Sequence, residues 1–118
     1  MGELVRDRIP EIIRAEGRTA DTRLLDDDAY RAALLDKLVE EALELRAAPP
    51  GSALDEAADV YEVLLALAAL EGWALRDVAS HAAGKRRQRG GFDERVFLQS
   101  SSAADSIQGS TSPGVGRP

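Results

Sequence analysis

Apolar positions recur at helical spacing through the middle of the chain, and the residues between the apolar runs are those that begin and end helices. Leu34, Leu38, Ala42 and Leu45 fall on one face of a helix predicted over 28–47, stopped by Pro49-Pro50-Gly51. Val63, Leu67 and Leu70 do the same for a helix predicted over 53–71, which Gly72 closes. Ser52, with Asp55 three residues on, approximates a capping box for that helix. Earlier, Pro10 falls in the first turn of a short helix, where its missing N–H costs nothing, and Gly17 ends it. Any of Asp26, Asp27 and Asp28 can cap the helix that follows and favour its positive end. After Trp73 a fourth helix is predicted over 75–87, with Val78, Ala82 and Ala83 on its apolar side and a basic run, Lys85-Arg86-Arg87-Gln88-Arg89, at its end before Gly90-Gly91. Residues 92–98 read as a short strand or an extended segment packing back on the body. From Ser100 onward Ser, Gly, Pro and Ala dominate, a composition too poor in large apolar groups to offset its own ordering entropy.

The expected fold is therefore an all-α bundle of about four helices over residues 1–99, followed by a disordered tail over 100–118. Aromatic residues make up only 4% of the chain, which favours helices packed through small aliphatic side chains over a sheet. Nearly every residue of the third helix after Asp59 is apolar whichever way it faces, the pattern of a helix covered on all sides, so the bundle is expected to be completed by oligomerisation. With no cysteine there is no disulfide framework, thiolate metal site or thiol nucleophile. Charges stand where a secretory signal needs an apolar stretch, and no apolar run reaches membrane-spanning length, so the expected compartment is the cytoplasm. A net charge of −6 argues against binding a nucleic acid polymer, although an acidic protein can hold a phosphorylated small molecule when metal ions screen its carboxylates.

Acidic residues carry the candidate chemistry. At about 100° per residue, Glu40, Glu41 and Glu44 share an arc of roughly 100° on the second helix, beside its apolar stripe. On the third helix Glu56 and Asp59 project at nearly the azimuth of Val63, Leu67 and Leu70, so these two acids point inward. Glutamates at helical spacing are usually a solvated face; a second acidic pair that faces the core, brought back by a short Pro-Gly connection, favours a metal site. Inward carboxylates cost several kcal/mol unless neutralised, and Lys37 is the clear basic candidate on these faces. All-oxygen ligation without cysteine and with a single histidine selects Mg²⁺, with Mn²⁺ as a substitute, over Zn²⁺.

The pattern Glu40-Glu41-x-x-Glu44 followed by Glu56-x-x-Asp59 resembles the signature of the all-α nucleoside triphosphate pyrophosphohydrolases, the superfamily of MazG, the dimeric dUTPases and phosphoribosyl-ATP pyrophosphohydrolase. Leu4-Val5-Arg6-Asp7-Arg8-Ile9-Pro10-Glu11-Ile12, Ala58-Asp59-Val60-Tyr61-Glu62-Val63 and Lys85-x-x-x-Arg89-Gly90-Gly91-Phe92 extend the likeness over about residues 3–98, most closely to the small MazG-like, phosphoribosyl-ATP pyrophosphohydrolase-like branch. The resemblance implies a MazG-like topology, a homodimer or homotetramer, and Mg²⁺ held by Glu41, Glu44, Glu56 and Asp59 with Glu40 in support. It implies hydrolysis of a nucleoside triphosphate to the monophosphate and pyrophosphate, with house-cleaning of damaged nucleotides as one role. Either Glu40 or Glu41 would take the proton of the attacking water, while Lys37, Lys85, Arg86, Arg89, Arg6 and Arg8 would contact phosphates.

A basic run at a helix end more often only complements the helix dipole, and Arg6 and Arg8 have an alternative as structural ion-pair partners. The histidine that phosphoribosyl-ATP pyrophosphohydrolases tend to carry is absent, with Val63 near its place, which sets that activity second. A catalytically silent helical oligomerisation or regulatory module is the third expectation. Trp73 and Tyr61 are more readily core or interface residues than base-stacking ones, and His81 is an ordinary helix residue.

Overall fold

The computed structural model describes residues 2–103; the tail expected over 100–118 lies outside the described residues from 104 onward. Four α-helices and no strand occur among the described residues. The chain divides into two compact units, 1–84 and 85–118.

The first unit begins with an extended stretch and α1 (Ile9–Ala15), whose Pro10 lies in the opening turn; Gly17, just past its end, takes a φ of +81°. The long helix α2 (Asp27–Ala47) is capped by Asp26, whose side chain accepts a hydrogen bond from the Ala29 N–H at 2.9 Å. Of the three candidate aspartates the first does the capping, which leaves Asp27 and Asp28 in the first turn against the helix dipole. A 3₁₀ turn, Pro50–Ser52, leads into α3 (Ala53–Glu71). This turn corrects the expected capping box: Ser52 makes no side-chain cap and instead donates its hydroxyl to the Pro49 carbonyl at 3.3 Å. Pro49 and Pro50 fix a tight turn whose last residue, Ser52, sits at φ −115°, ψ 3°, outside the extended geometry an N-cap needs. At the other end Gly72, at φ +80°, closes α3, with Gly72 N–H donating to Ala69 and Trp73 N–H to Ala68. Asp77 then accepts from the Ala74 N–H to start α4 (Leu75–Arg89).

Helices α2 and α3 pack along each other. Arg31, early in α2, is paired with Glu71 at the end of α3 at 2.6 Å, while the 3₁₀ turn joins their opposite ends; the two helices are therefore antiparallel. Leu34, Val63 and Leu67 form the buried core, with Leu4, Tyr30, Leu38, Ala66 and Leu70 packed around it. Leu4 comes from the extended N-terminal stretch, so that stretch is anchored across the α2–α3 hairpin by an apolar contact. One expected stripe position is corrected. Ala42 is exposed, and the inward place on that turn of α2 belongs to Glu41. Ala42 lies about 80° round the helix from Leu34, beyond the strip that α3 covers, whereas Glu41 lies about 20° from it.

The second unit starts at Lys85, near the end of α4. Its basic residues Lys85, Arg86, Arg87 and Arg89 are all exposed. The segment 92–98 forms no strand; it turns at Asp93-Glu94, with Arg95 at φ 60°, and Phe92, Val96, Phe97 and Leu98 are all exposed.

Candidate metal centre

Two helices supply the acids. Glu41 projects from the middle of α2 into the hairpin, and Glu56 and Asp59 come from successive turns at the start of α3, which the 3₁₀ turn swings back beside it. One carboxylate oxygen from each of these three residues lies within 4.8 Å of the others. Oxygens facing each other across a Mg²⁺ ion stand about 4.2 Å apart, twice the metal–ligand distance, so a small rotamer adjustment suffices for all three to share one ion. Glu41 is only 7% exposed, and its Oε1 is buried with no hydrogen-bond partner among the described residues. A buried carboxylate oxygen left without a donor is costly, and a hard divalent cation with oxygen ligands satisfies it. The donor set therefore fits Mg²⁺ or Mn²⁺.

The electrostatics show how far the trio is compensated by the chain itself. Burial pushes the Glu41 carboxyl above the usual range, the Glu44 charge pushes the same way, Lys37 opposes both, and Asp59 adds a smaller push upward. Lys37 Nζ lies 3.1 Å from Glu40 Oε1, 3.4 Å from Glu41 Oε2 and 3.4 Å from Glu3 Oε1. Burial works to lower the Lys37 ammonium, but its hydrogen bonds and charge contacts with Glu40 and Glu3 outweigh it and hold its pKa above normal. Arg6 Nη2 donates to Asp59 Oδ1 at 2.7 Å, and its Nη1 is 4.0 Å from Glu62 Oε1. Glu56 forms no ion pair among the described residues.

Lys37 is the clear basic candidate on the helix faces, and Arg6 is a second partner, in the structural ion-pair role that was its alternative to a phosphate contact. Its partner Asp59 was not legible from spacing, because the two meet across 53 residues of chain. Glu3 and Glu62 also belong to the charge network and were not singled out. Glu62 had a signal, three residues beyond Asp59 on the same helix; Glu3 had none.

The other expected residues divide between the units. Glu40 and Glu44 stand on the exposed flank of α2; Glu44 is not one of the trio but acts on Glu41 through its charge, and Glu40 is engaged with Lys37. Arg8 is exposed and lies 3.5 Å from Glu11. Beside the trio a groove of about 460 Å³ runs between the N-terminal stretch and the hairpin. Arg6, Arg8, Lys37, Glu41 and Asp59 line its polar part, while Ile9, Ile12, Tyr30, Leu34, Val63 and Ala66 line its apolar part. Lys85, Arg86 and Arg89 belong to the second unit.

No family model and no solved structure matches the chain. A curated protein of Mycolicibacterium smegmatis, described as uncharacterized, is 67% identical to it over 48 residues, which cover 41% of this chain and 49% of that protein. The likeness thus spans about half the length of that relative and brings no activity with it.

Trp73 and Tyr61 are about half exposed, and neither lines the groove. His81 is exposed on α4 and is not among the trio. Among the described residues no helix is long and apolar enough to cross a membrane.

Proposed function

We propose that the protein is a Mg²⁺-dependent nucleoside triphosphate pyrophosphohydrolase with a MazG-like topology, acting in the cytoplasm as a homodimer or homotetramer. The observation that supports it most is the convergence of Glu41, Glu56 and Asp59 around a buried, unpartnered Glu41 oxygen. These three would hold the ion, with Glu44 beside them. Bound there, Mg²⁺ supplies polarisation of the phosphate oxygens and a lowered pKa for bound water. The chain's own groups do the rest. Arg6, Arg8 and Lys37 face the groove and would orient the phosphates. Glu40 or Glu41 would take the proton as water attacks the α-phosphorus; the bond to the bridging oxygen breaks, and pyrophosphate leaves with its electron pair. The apolar wall of the groove has the character needed for a base and sugar, and the substrate class includes damaged nucleotides, which gives the enzyme a house-cleaning role.

The test is a panel of standard, oxidised and methylated nucleoside triphosphates, with phosphoribosyl-ATP alongside, incubated with Mg²⁺ or Mn²⁺ and read out as monophosphate and pyrophosphate. Turnover is expected on a triphosphate and is expected to fall at least about a hundredfold in Asp59→Asn and Glu41→Gln, the scale of losing a group that stabilises the transition state. Turnover of phosphoribosyl-ATP alone would move the assignment to histidine biosynthesis. One observation favours a second reading: Arg6 and Lys37 already offset part of the acidic charge, as in a silent oligomerisation or regulatory module. Stabilisation by Mg²⁺ with no turnover of any nucleotide would select it.

A further inference from the structure

We propose that Arg6 is a built-in counter-ion of the acidic trio, which holds Asp59 until a divalent cation takes that carboxylate and then turns its guanidinium to the anionic ligand. This rests on the metal reading above and concerns the order in which the site fills. Arg6 stands on the extended stretch that Leu4 anchors across the hairpin, and Glu3, on the same stretch, is paired with Lys37. The stretch therefore reaches α2 through Glu3 and α3 through Arg6, three residues apart. The Arg6 fork is engaged on one side only: Nη2 is 2.7 Å from Asp59, whereas Nη1 is 4.0 Å from Glu62.

Both partners of the Arg6–Asp59 pair are part-exposed, with side chains 57% and 37% accessible. An ion pair of that exposure is weak and exchangeable. A cation bound by Glu41, Glu56 and Asp59 competes with Arg6 for Asp59, and the loser of that competition is a planar guanidinium lining the groove, suited to a phosphate. Releasing Arg6 favours anion binding, and by linkage the anion favours the cation. The buried, unpartnered Oε1 of Glu41 is what draws the cation in, since Arg6 does not reach it.

Two measurements test this. Mn²⁺ affinity is measured by electron paramagnetic resonance in the wild type, Arg6→Ala and Arg8→Ala. Arg6→Ala is expected to bind Mn²⁺ about two- to fivefold more tightly, the range of an exposed ion pair, while Arg8→Ala, which removes the same charge from the same groove, stays close to the wild type. In the second, pyrophosphate binding is measured by calorimetry on chelator-treated, metal-free protein. Asp59→Asn frees Arg6 without any cation and is expected to bind pyrophosphate severalfold more tightly than Glu56→Gln, which removes the same charge but leaves Arg6 pinned. Adding Arg6→Ala to Asp59→Asn should abolish that gain. Equal Mn²⁺ affinities for wild type and Arg6→Ala, or equal pyrophosphate affinities for Asp59→Asn and Glu56→Gln, overturn the counter-ion role while leaving the metal reading intact. Absence of Mn²⁺ binding in the wild type and in Arg6→Ala alike overturns both. Thermal melts of each variant check that the fold survives the substitution.

Discussion

Glu41 is only partly compensated: Lys37 faces its Oε2, while its buried Oε1 has no partner among the described residues. Its carboxyl is raised, so the folded state holds that proton more tightly than the unfolded state does. Stability from this group is complete below the ordinary carboxylate range and is lost as pH rises through its raised value. Without divalent ions, Glu41→Gln is therefore expected to be more stable than the wild type at neutral pH, by roughly 1 kcal/mol, the scale of one uncompensated buried polar group. Melting curves in chelator should show the difference shrinking toward pH 4 or below; a gap independent of pH would refute the assignment. Saturating Mg²⁺ should reverse the ranking, because only the wild type keeps the full ligand set. At a hundredfold excess over its dissociation constant, Mg²⁺ stabilises the protein that binds it by about 2.7 kcal/mol, and Asp59→Asn should gain nothing.

At the level of elements, the ends of the helices decide how the acids meet. Removing the α2 cap with Asp26→Ala is expected to cost about 1 kcal/mol in chemical denaturation, since the Ala29 N–H loses its acceptor. Much of this layer was legible in the chain: Pro49-Pro50-Gly51 and Gly72 bound α3 where expected, because proline and glycine act through local backbone geometry. Their register with Val63 and Leu67 put Glu56 and Asp59 on the side of α3 that meets Glu41, where both are half-buried and not fully inward. The cap of α3 was not legible, since Ser52 spends its hydroxyl on the preceding turn. Nor were the Arg6–Asp59 and Glu3–Lys37 pairs, which depend on where a distant extended stretch comes to lie. Residues 92–98 form no strand for another reason: Phe92, Val96 and Phe97 raise strand propensity, but a strand needs a neighbour to share its hydrogen bonds, and none occurs among the described residues.

For the molecule as a whole, the contrast between a thin core and generous apolar exposure stands out. Leu34, Val63, Leu67 and Ala68 are the buried apolar residues among those described, while Leu35, Val39 and Leu43 along α2 and Leu54, Tyr61 and Leu64 along α3 remain exposed. Leu34→Ala is expected to cost about 2–5 kcal/mol, much of the stability of a domain this size, and to broaden or abolish the thermal transition seen by circular dichroism. The uncovered α2 row repeats every four residues, as a seam against another helix does. On the proposed homo-oligomer, Tm should rise with protein concentration, and Val39→Glu combined with Leu43→Glu should give a slower-sedimenting monomer whose Tm no longer depends on concentration. The antiparallel pairing of α2 with α3 through a five-residue link has a temporal consequence as well. Contacts between chain neighbours close quickly, so the hairpin should collapse early and the N-terminal stretch should arrive on a surface already made. In stopped-flow refolding, Val63→Ala should slow the main phase, whereas Leu4→Ala should chiefly hasten unfolding.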